Sequence, residues 1–350
     1  MKHLSEIQVY EKEKWNSIVQ SFPNYEVFYL NEYVSAFMNE NLMNGIPILL
    51  LYENREDKAI NVVFKRDVAL DPSFEGKIPT NQYFDLITPY GYGGFVGTVS
   101  DFDILNYEYN SYCINRGYIC EFVRFNLFSD YYKYYDGEVI SLTHNVIRNL
   151  ELSMDDIWMN FKHKVRKNVK KGIKNNLEIV IENTGEYLKD FLEIYYSTME
   201  RCDAENEYYF NEKFYNTLMS MKENIMYFHV LYAGKVISTE LVIYGSENVY
   251  SYLGGTNQDY FNLRPNDFLK FEIIKWGYKK GYKNFVLGGG CGSDDGIFQY
   301  KAAFAPDGIV KFYIGKKILD KEKYSELCTI RNIRINNENI DKGFFPKYRM

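Results

Sequence analysis

The sequence has few of the residues that build disulfide or zinc frameworks. Its five cysteines are an odd number and include no Cys-x-x-Cys pair, whereas such frameworks need paired or closely spaced cysteines. No hydrophobic run approaches the roughly 20 residues that span a bilayer. The segment Met1–Trp15 is polar and charged, unlike a secretory signal. These absences predict a soluble, cytoplasmic protein without a metal site.

The charge and the composition describe a globular chain with no overall affinity for nucleic acid. Apolar residues make up 46% of the sequence and charged residues 25%, which is typical of folded domains. The net charge is −6, so we expect no DNA-binding protein, and an anionic partner must meet a local basic patch. With 350 residues, the chain is long enough for two domains.

One series of elements occurs twice along the chain. It consists of two strands around a polar turn, a third strand ending in two glycines, a helix, a basic-Gly-Tyr tripeptide and a fourth strand. The helix is Phe102–Asn115 in the first series and Pro265–Lys280 in the second. Proline suits the first position of a helix, and glycine suits the position after its end. The repeat predicts an α/β (α+β) chain of two related domains.

The boundary between the two domains is predicted near residue 150. Ser153 is a favourable helix N-cap, and Asp155 and Asp156 follow in the first turn. We therefore expect an N-terminal domain of residues 1–150 and a C-terminal domain of residues 151–350, which includes a basic helix and a C-terminal tail.

The basic helix is predicted over residues 161–175. Apolar residues recur there every four positions and predict one buried stripe: Phe161, Val165, Val169 and Ile173. The other faces carry basic residues and no acidic one. They form either a solvated outer face or a surface for a phosphate-bearing substrate, an RNA or a membrane headgroup. The residues proposed to bind the anion are Arg166, Lys167 and Lys170.

Two strands of the second domain end in glycines. Glycine lets a ligand approach the backbone closely, and loops at the carboxyl ends of strands are where open α/β sheets bind ligands. The pattern predicts binding of an activated donor at Gly254, Gly255, Gly288, Gly289 and Gly290.

A lysine flanked by aromatic residues follows these glycines. Lys301 comes directly after Tyr300 in the segment Phe298–Phe304. A partly desolvated lysine presents a fixed positive charge to a developing oxyanion or a phosphate. The alternative is an ordinary amphipathic turn whose lysine extends into solvent.

Three other residues have the chemistry of catalytic groups. His229 lies on a predicted strand, where a packed core histidine is the more ordinary role. Glu240, also on a strand, is either a general base or a partnered carboxylate of the sheet. Cys291 lies in the glycine loop, but no nearby histidine supports it as a nucleophile.

Three stretches together resemble the FemAB/FemX group of non-ribosomal aminoacyl transferases and the related GNAT acetyltransferase-like proteins. The segment Pro89–Gly94 is similar to the family's "PYGP" strand end. The basic segment around Arg166, followed by a strand near Leu177–Ile181, is similar to the entry of its second domain. The segment Leu287–Phe304 is similar to its "lGG…FKxxF" ending.

The resemblance implies two tandem GNAT-like domains, each a mixed twisted sheet flanked by helices, with catalysis in the C-terminal one. It implies N-acyl transfer from acyl-CoA or aminoacyl-tRNA, as co-substrate rather than bound cofactor, to a primary amine. The amine would belong to a small or lipid-linked cell-envelope precursor or to a surface sugar of the peptidoglycan or polysaccharide pathways. Contact with the membrane surface fits such an acceptor.

The resemblance also implies roles for individual residues. Tyr300 and Lys301 stand where the family has its catalytic aromatic-lysine pair. The acceptor would be bound by Tyr90, Asp101, Asp103, Arg201 and Tyr208.

The sequence departs from the pattern of these families at several places. No lysine follows the first helix, where a diphosphate-binding lysine would be expected, and the coiled-coil insertion of the larger members is absent. Tyr92 replaces the proline of "PYGP". The usual GNAT pyrophosphate loop is missing, and Arg264–Phe268 holds its place without a glycine. The missing loop weakens coenzyme A as the donor. The alternative function is a non-catalytic GNAT-like module that binds an anionic lipid or RNA through the basic helix.

Overall fold

The computed structural model describes residues 3–38, 40, 42–290, 295–335 and 343–350. Cys291 therefore lies outside the described residues. The helices and strands, in chain order, are β1 (Leu4–Gln8), α1 (Lys12–Gln20), α2 (Asn31–Ala36), β2 (Ile46–Asn54), β3 (Asp57–Asp67), β4 (Phe84–Ile87), β5 (Val96–Thr98), α3 (Phe102–Asn115), β6 (Tyr118–Arg124), β7 (Glu138–Asn149), α4 (Met154–Asn160), α5 (His163–Lys174), β8 (Glu178–Glu182), α6 (Leu188–Arg201), α7 (Glu212–Met219), β9 (Ile225–Tyr232), β10 (Lys235–Tyr244), β11 (Asn248–Thr256), α8 (Pro265–Lys280), β12 (Asn284–Gly288), α9 (Gly296–Ala302), β13 (Ile309–Ile318) and α10 (Lys321–Ile330). Among these described helices, none has the length and apolar character needed to cross a membrane.

Two compact units share the chain. Unit 1 comprises Met1–Phe22, Phe28–Leu142 and Phe312–Met350, and unit 2 comprises Pro23–Val27 and Thr143–Lys311. This division differs from the predicted domains of residues 1–150 and 151–350.

The largest difference is the C-terminal tail, which belongs to unit 1. In β13, Ile314–Ile318 pairs antiparallel with Cys120–Arg124 of β6. Near the chain end, the Tyr348 hydroxyl and the Arg349 Nε donate to the buried carboxylate of Asp85 at 2.8 and 2.6 Å. Strand pairing and a buried ion pair therefore connect the tail to unit 1, and both join distant parts of the sequence.

The sheet of unit 1 is mixed. Its strand order is β1-β2-β3-β4-β6-β13, and β5 pairs with β3. The β4–β6 pair is parallel, and the neighbours on either side are antiparallel. Helix α3 buries Leu105, Tyr109 and Cys113 in one hydrophobic cluster, while α10 buries Tyr324 and Leu327 in another.

Unit 2 also has a mixed sheet flanked by helices. Its strand order is β7-β12-β11-β10-β9-β8, with β11 and β12 parallel and the other neighbours antiparallel. Helix α8 buries Phe268, Leu269 and Ile273 in the core. Helix α6 packs its Phe191 ring against Tyr227 of β9, with the ring centroids 5.2 Å apart. The fold prediction of mixed sheets with flanking helices is confirmed.

The predicted repeat is visible in the strand order. Each unit has an antiparallel hairpin (β2–β3 and β9–β10), an antiparallel third strand (β4 and β11), a helix (α3 and α8) and a fourth strand parallel to the third (β6 and β12). Both helices have the predicted bounds. Gly117 and Gly281 follow their ends with φ of 71° and 80°, a conformation in which glycine is favoured.

The basic helix differs from its prediction at both ends of the apolar stripe. Phe161 precedes α5, which begins at His163. Val165 and Val169 are buried, but Ile173 is 53% exposed. Gly172 faces the core instead. A Cβ at this position would lie 2.9 Å from the Cβ of Phe268, which leaves no room for a side chain.

Candidate active site

A cavity of about 690 Å³ opens in unit 2 where two parallel strands part. β11 and β12 pair at only three positions, from Asn248–Tyr250 to Asn284–Val286. β11 nevertheless continues to Thr256, still paired with β10. The volume is within the range of small-molecule sites. Its lining includes charged and polar residues and two glycines: Lys164, Asn168, Arg201, Tyr208, Glu240, Ser251, Gly254, Gly255, Arg264, Asp267, Lys270, Tyr300 and Lys301.

Lys301 is held at the glycine-rich end of β12. Its Nζ donates a hydrogen bond of 2.6 Å to the carbonyl oxygen of Gly289. Gly288 has a φ of 84°, and a Cβ there would lie 3.3 Å from the same Nζ. The glycines of β12 therefore make room for the lysine and fix its ammonium group at the cavity.

Tyr300 places a buried hydroxyl in the same region. Burial, followed by the negative charges of Asp267 and Glu240, raises the pKa of Tyr300 well above its usual value. The hydroxyl has no hydrogen-bond partner among the described residues. A phenol that stays neutral retains a proton that it can donate.

A buried ion pair forms part of the cavity wall. Lys270 Nζ donates to both carboxylate oxygens of Glu240 at 2.6 Å and to Ser251 Oγ at 2.6 Å. Glu240 thus has the second of its two predicted roles, a partnered carboxylate. The sequence analysis missed Lys270, because nothing local distinguishes a buried lysine from the exposed ones of the same helix.

Asp267 is a second carboxylate in the cavity, and the sequence analysis missed it too. It lies in the first turn of α8 and is 7% exposed. Burial raises its pKa, against the lowering effects of a hydrogen bond from Asn168 and the charges of Arg264 and Lys164. A raised pKa in a cavity is the physical mark of a candidate acid or base.

Besides Lys270 and Lys301, three cationic side chains line the cavity. They are Lys164 of α5, Arg201 of α6 and Arg264 before α8. Arg201 donates to the Thr256 carbonyl at 3.4 Å, and its guanidinium lies 5.3 Å from the centroid of the Phe261 ring. Among the described lining residues, Asp267 is the one acidic residue that forms no ion pair. The positive charges of the lining therefore favour an anionic ligand.

Gly254 and Gly255 line the cavity, but neighbouring protein atoms also require them. A Cβ at Gly254 would lie 2.6 Å from the Thr239 carbonyl oxygen, and one at Gly255 would lie 2.4 Å from Thr198 Oγ1. The two glycines therefore allow β10 and α6 to pack closely against β11.

Six of the residues predicted to bind the donor or the acceptor lie outside the lining. Gly288, Gly289 and Gly290 are not among its residues, although the first two adjoin Lys301.

Tyr90, Asp101 and Asp103 belong to unit 1. The Tyr90 carbonyl accepts from the Tyr33 hydroxyl at 2.7 Å. Asp101 caps α3 by accepting from the backbone N–H of Asp103 and Ile104. The Asp103 side chain is exposed. Capping explains Asp101 without a ligand.

The predicted anion-binding residues of α5 have different surroundings. Arg166 Nη1 donates to the carbonyl of Met159 at 2.7 Å and to that of Phe161, so it holds the turn between α4 and α5. Lys167 and Lys170 are exposed.

His229 is a fully buried sheet residue. Its Nδ1 lies 2.8 Å from Thr239 Oγ1, and its Nε2 lies 3.3 Å from Glu182 Oε1. Burial raises the pKa of Glu182, but hydrogen bonds with His229 and Thr184 outweigh burial and lower this pKa to about 2. These contacts fit the predicted role of a packed, hydrogen-bonded histidine.

Comparison with known proteins agrees with the fold. Residues 159–302, which contain most of the cavity lining, match the family model of the acetyltransferase (GNAT) domain. No curated protein matches closely enough to show a relationship.

Solved structures match almost the whole chain. FemX superposes with a TM-score of 0.69 at 14% identity, over 92% of this chain and 99% of FemX. The C-terminal domain of a putative lysylphosphatidylglycerol synthetase from Agrobacterium fabrum gives 0.58 at 12% identity, over 93% and 96%. L-PGS from Bacillus licheniformis gives 0.58 at 12% identity, over 93% and 97%. The chain is therefore an acyltransferase that carries a GNAT domain in residues 159–302, within a fold that it shares with FemX.

Proposed function

We propose that the cavity of unit 2 binds an activated acyl or aminoacyl donor and transfers its acyl group to a primary amine. The donor is acyl-CoA or aminoacyl-tRNA, and the amine belongs to a cell-envelope precursor or a surface sugar. One observation carries the proposal: Lys301 and Tyr300 lie together at a cavity between parted strands, within the segment that matches the GNAT domain.

The positions of these side chains support separate roles in the transfer. Attack by an amine on an acyl carbon places negative charge on the carbonyl oxygen, and a fixed positive charge lowers the energy of that state. Lys301 supplies such a charge, since its Nζ is anchored to the Gly289 carbonyl. Tyr300 supplies a proton for the leaving thiolate or alkoxide, because its buried hydroxyl stays protonated at neutral pH.

The cationic lining supports a donor that carries phosphates. Lys164 of α5 and Arg264 before α8 both line the cavity. Both candidate donors are polyanions, so this feature favours neither. One of the structural neighbours is named as a putative lysylphosphatidylglycerol synthetase, which supports an aminoacyl group as one candidate. Arg201 and Tyr208 at the cavity support their proposed acceptor role, while that of Tyr90, Asp101 and Asp103 rests on the sequence resemblance.

A transfer assay tests the proposal. The protein is incubated with acetyl-CoA or with mixed aminoacyl-tRNAs, and with glucosamine or a lysine-containing peptide, and the acylated amine is measured by mass spectrometry. We expect Lys301→Ala to lower kcat by about 10²–10³, the effect of removing one oxyanion-stabilising group, with an unchanged melting temperature.

Lys311→Ala is the matched control, since Lys311 is an exposed lysine outside the lining and its loss should leave the rate unchanged. Absence of transfer by the wild type from either donor class, or equal rates for the wild type and Lys301→Ala, would contradict the proposal.

A further inference from the structure

The two carboxylates of the cavity differ in their partners. Both oxygens of Glu240 accept from Lys270. Asp267 forms no ion pair among the described residues, and its Oδ1 accepts one hydrogen bond of 3.2 Å from Asn168 Nδ2. Protonation of Glu240 would break a buried ion pair, which is costly. Protonation of Asp267 breaks no ion pair, so it is the carboxylate of the two that can take a proton during a reaction.

The charged and titratable groups that face Asp267 come from the elements packed around it. They are Lys164 on α5, Arg264 before α8 and the Tyr300 hydroxyl on α9, with Glu240 near Tyr300 on the far side. The charges of the two cations lower the pKa of Asp267. Burial acts in the opposite direction and raises the pKa of Asp267, which makes it a stronger base than an exposed aspartate.

We propose that Asp267 is the general base of the transfer, working with Tyr300 as the acid; this inference rests on the proposed function. As the neutral amine attacks the acyl carbon, the C–N bond forms and one N–H proton passes to Asp267. The bond from the acyl carbon to sulfur or oxygen breaks with its electron pair, and Tyr300 protonates the leaving group. The proton on Asp267 then returns to the Tyr300 phenolate, so both groups regain their initial states.

The position of Asp267 in the fold agrees with this role. It lies in the first turn of a 16-residue helix, where the helix dipole stabilises the carboxylate. Asn168, the partner of its Oδ1, is on a different helix and fixes the orientation of the side chain. Tyr300 is the residue before Lys301, and all three proposed groups, Asp267, Tyr300 and Lys301, line the same cavity.

Asp267→Asn tests the inference because it removes the base and preserves the shape. The amide keeps the acceptor oxygen for Asn168. We expect kcat to fall by about 10²–10⁴, the usual contribution of a general base, with the KM of the donor unchanged. Asp259→Asn, an exposed aspartate outside the lining, should behave as the wild type.

Thermal stability distinguishes a base from a structural residue. Because the folded state raises the pKa of Asp267, the ionised carboxylate destabilises the fold once the pH exceeds its unfolded value. Asp267→Asn should therefore melt at the same temperature as the wild type or higher at pH 7, and any difference should shrink in acid. A structural aspartate would give a lower melting temperature instead. Asp267→Ser is the second variant if the amide does not fold.

The outcomes separate the inference from the proposed function. If the wild type transfers no acyl group, the proposed function fails. If the wild type is active and Asp267→Asn keeps its rate within about threefold, or melts at a clearly lower temperature than the wild type at pH 7, Asp267 is not the base, and the proposed function stands.

Discussion

Replacing Arg349 with alanine would remove one of two guanidinium groups that hold a fully buried aspartate in unit 1. Arg349 Nε donates to Asp85 Oδ2 at 2.6 Å, and its Nη1 lies 3.4 Å from Asp71 Oδ2. Arg66 Nε holds the other oxygen of Asp85 at 2.7 Å. Asp85 has no exposed surface, so its charge depends on these partners. The residue before Arg349, Tyr348, also donates to Asp85.

The expected loss of stability follows from what Asp85 retains. Breaking a buried ion pair by removing one partner costs about 3–5 kcal/mol. After Arg349→Ala, Arg66 and Tyr348 still bond to Asp85, so we expect the lower end, about 3 kcal/mol. For a unit of this size, that corresponds to a fall of about 6–12 °C in the melting temperature.

The loss should depend on pH. Burial raises the pKa of Asp85, but the charges of Arg349 and Arg66 outweigh burial and lower the pKa below its usual value. A depressed carboxyl pKa stabilises the fold above the unfolded pKa, and that stability is lost as the pH falls through the folded value. The difference between wild type and Arg349→Ala should therefore be largest near neutral pH and shrink in acid.

Circular dichroism melts and urea titrations from pH 3 to 7 would measure both effects. Arg334→Ala is the control, because Arg334 is an exposed arginine of the same tail. A change no larger for Arg349→Ala than for Arg334→Ala, or one independent of pH, would refute the assignment of the tail to unit 1 through this ion pair.

Two further predictions concern the basic helix and the glycines of β11. If α5 binds a polyanion, the double variant Lys167→Glu/Lys170→Glu should bind tRNA more weakly in fluorescence anisotropy. The slope of the logarithm of the binding constant against the logarithm of the salt concentration should become shallower by about two. Reversing the charges of the exposed Lys279 and Lys280 of α8 is the control. Equal effects of the two double variants on tRNA binding would exclude a specific binding surface on α5. Gly255→Ala should destabilise unit 2 by about 1–3 kcal/mol in urea titrations, because a Cβ there would overlap Thr198 Oγ1. Gly296→Ala, where no atom lies within 4 Å, should be nearly neutral; similar results for both would contradict the close packing of α6.

Local sequence patterns were sufficient to predict the elements of the repeat. The bounds of α3 and α8 follow from residues at their own ends, such as Pro265 and Gly281, and are confirmed. Ile173 shows the limit of periodicity. The four-residue spacing predicted a buried side chain, but contact between helices brings Gly172 to the core, since the close approach of Phe268 leaves no space for a side chain.

Long-range contacts are what the sequence did not predict. The tail of unit 1 joins β6, almost two hundred positions earlier in the chain, and no local pattern in β13 indicates that pairing. In the cavity, the glycines of β11 were found because they end a predicted strand. The Tyr300–Lys301 pair was found from its aromatic neighbours and its resemblance to a family motif. Asp267 and Lys270 were missed because a charged residue on a helix resembles a solvated one until its neighbours in space are known.

A structure with a stable donor analogue would show whether the cavity of unit 2 binds the activated donor beside Tyr300 and Lys301. A thioether analogue of acetyl-CoA and an amide analogue of an aminoacyl adenosine cover the two donor classes. The account predicts that one of them binds between the parted ends of β11 and β12, with its acyl oxygen about 2.6–3.2 Å from Lys301 Nζ or the Tyr300 hydroxyl. An analogue bound elsewhere in the molecule, or one whose acyl group points away from both residues, would contradict it.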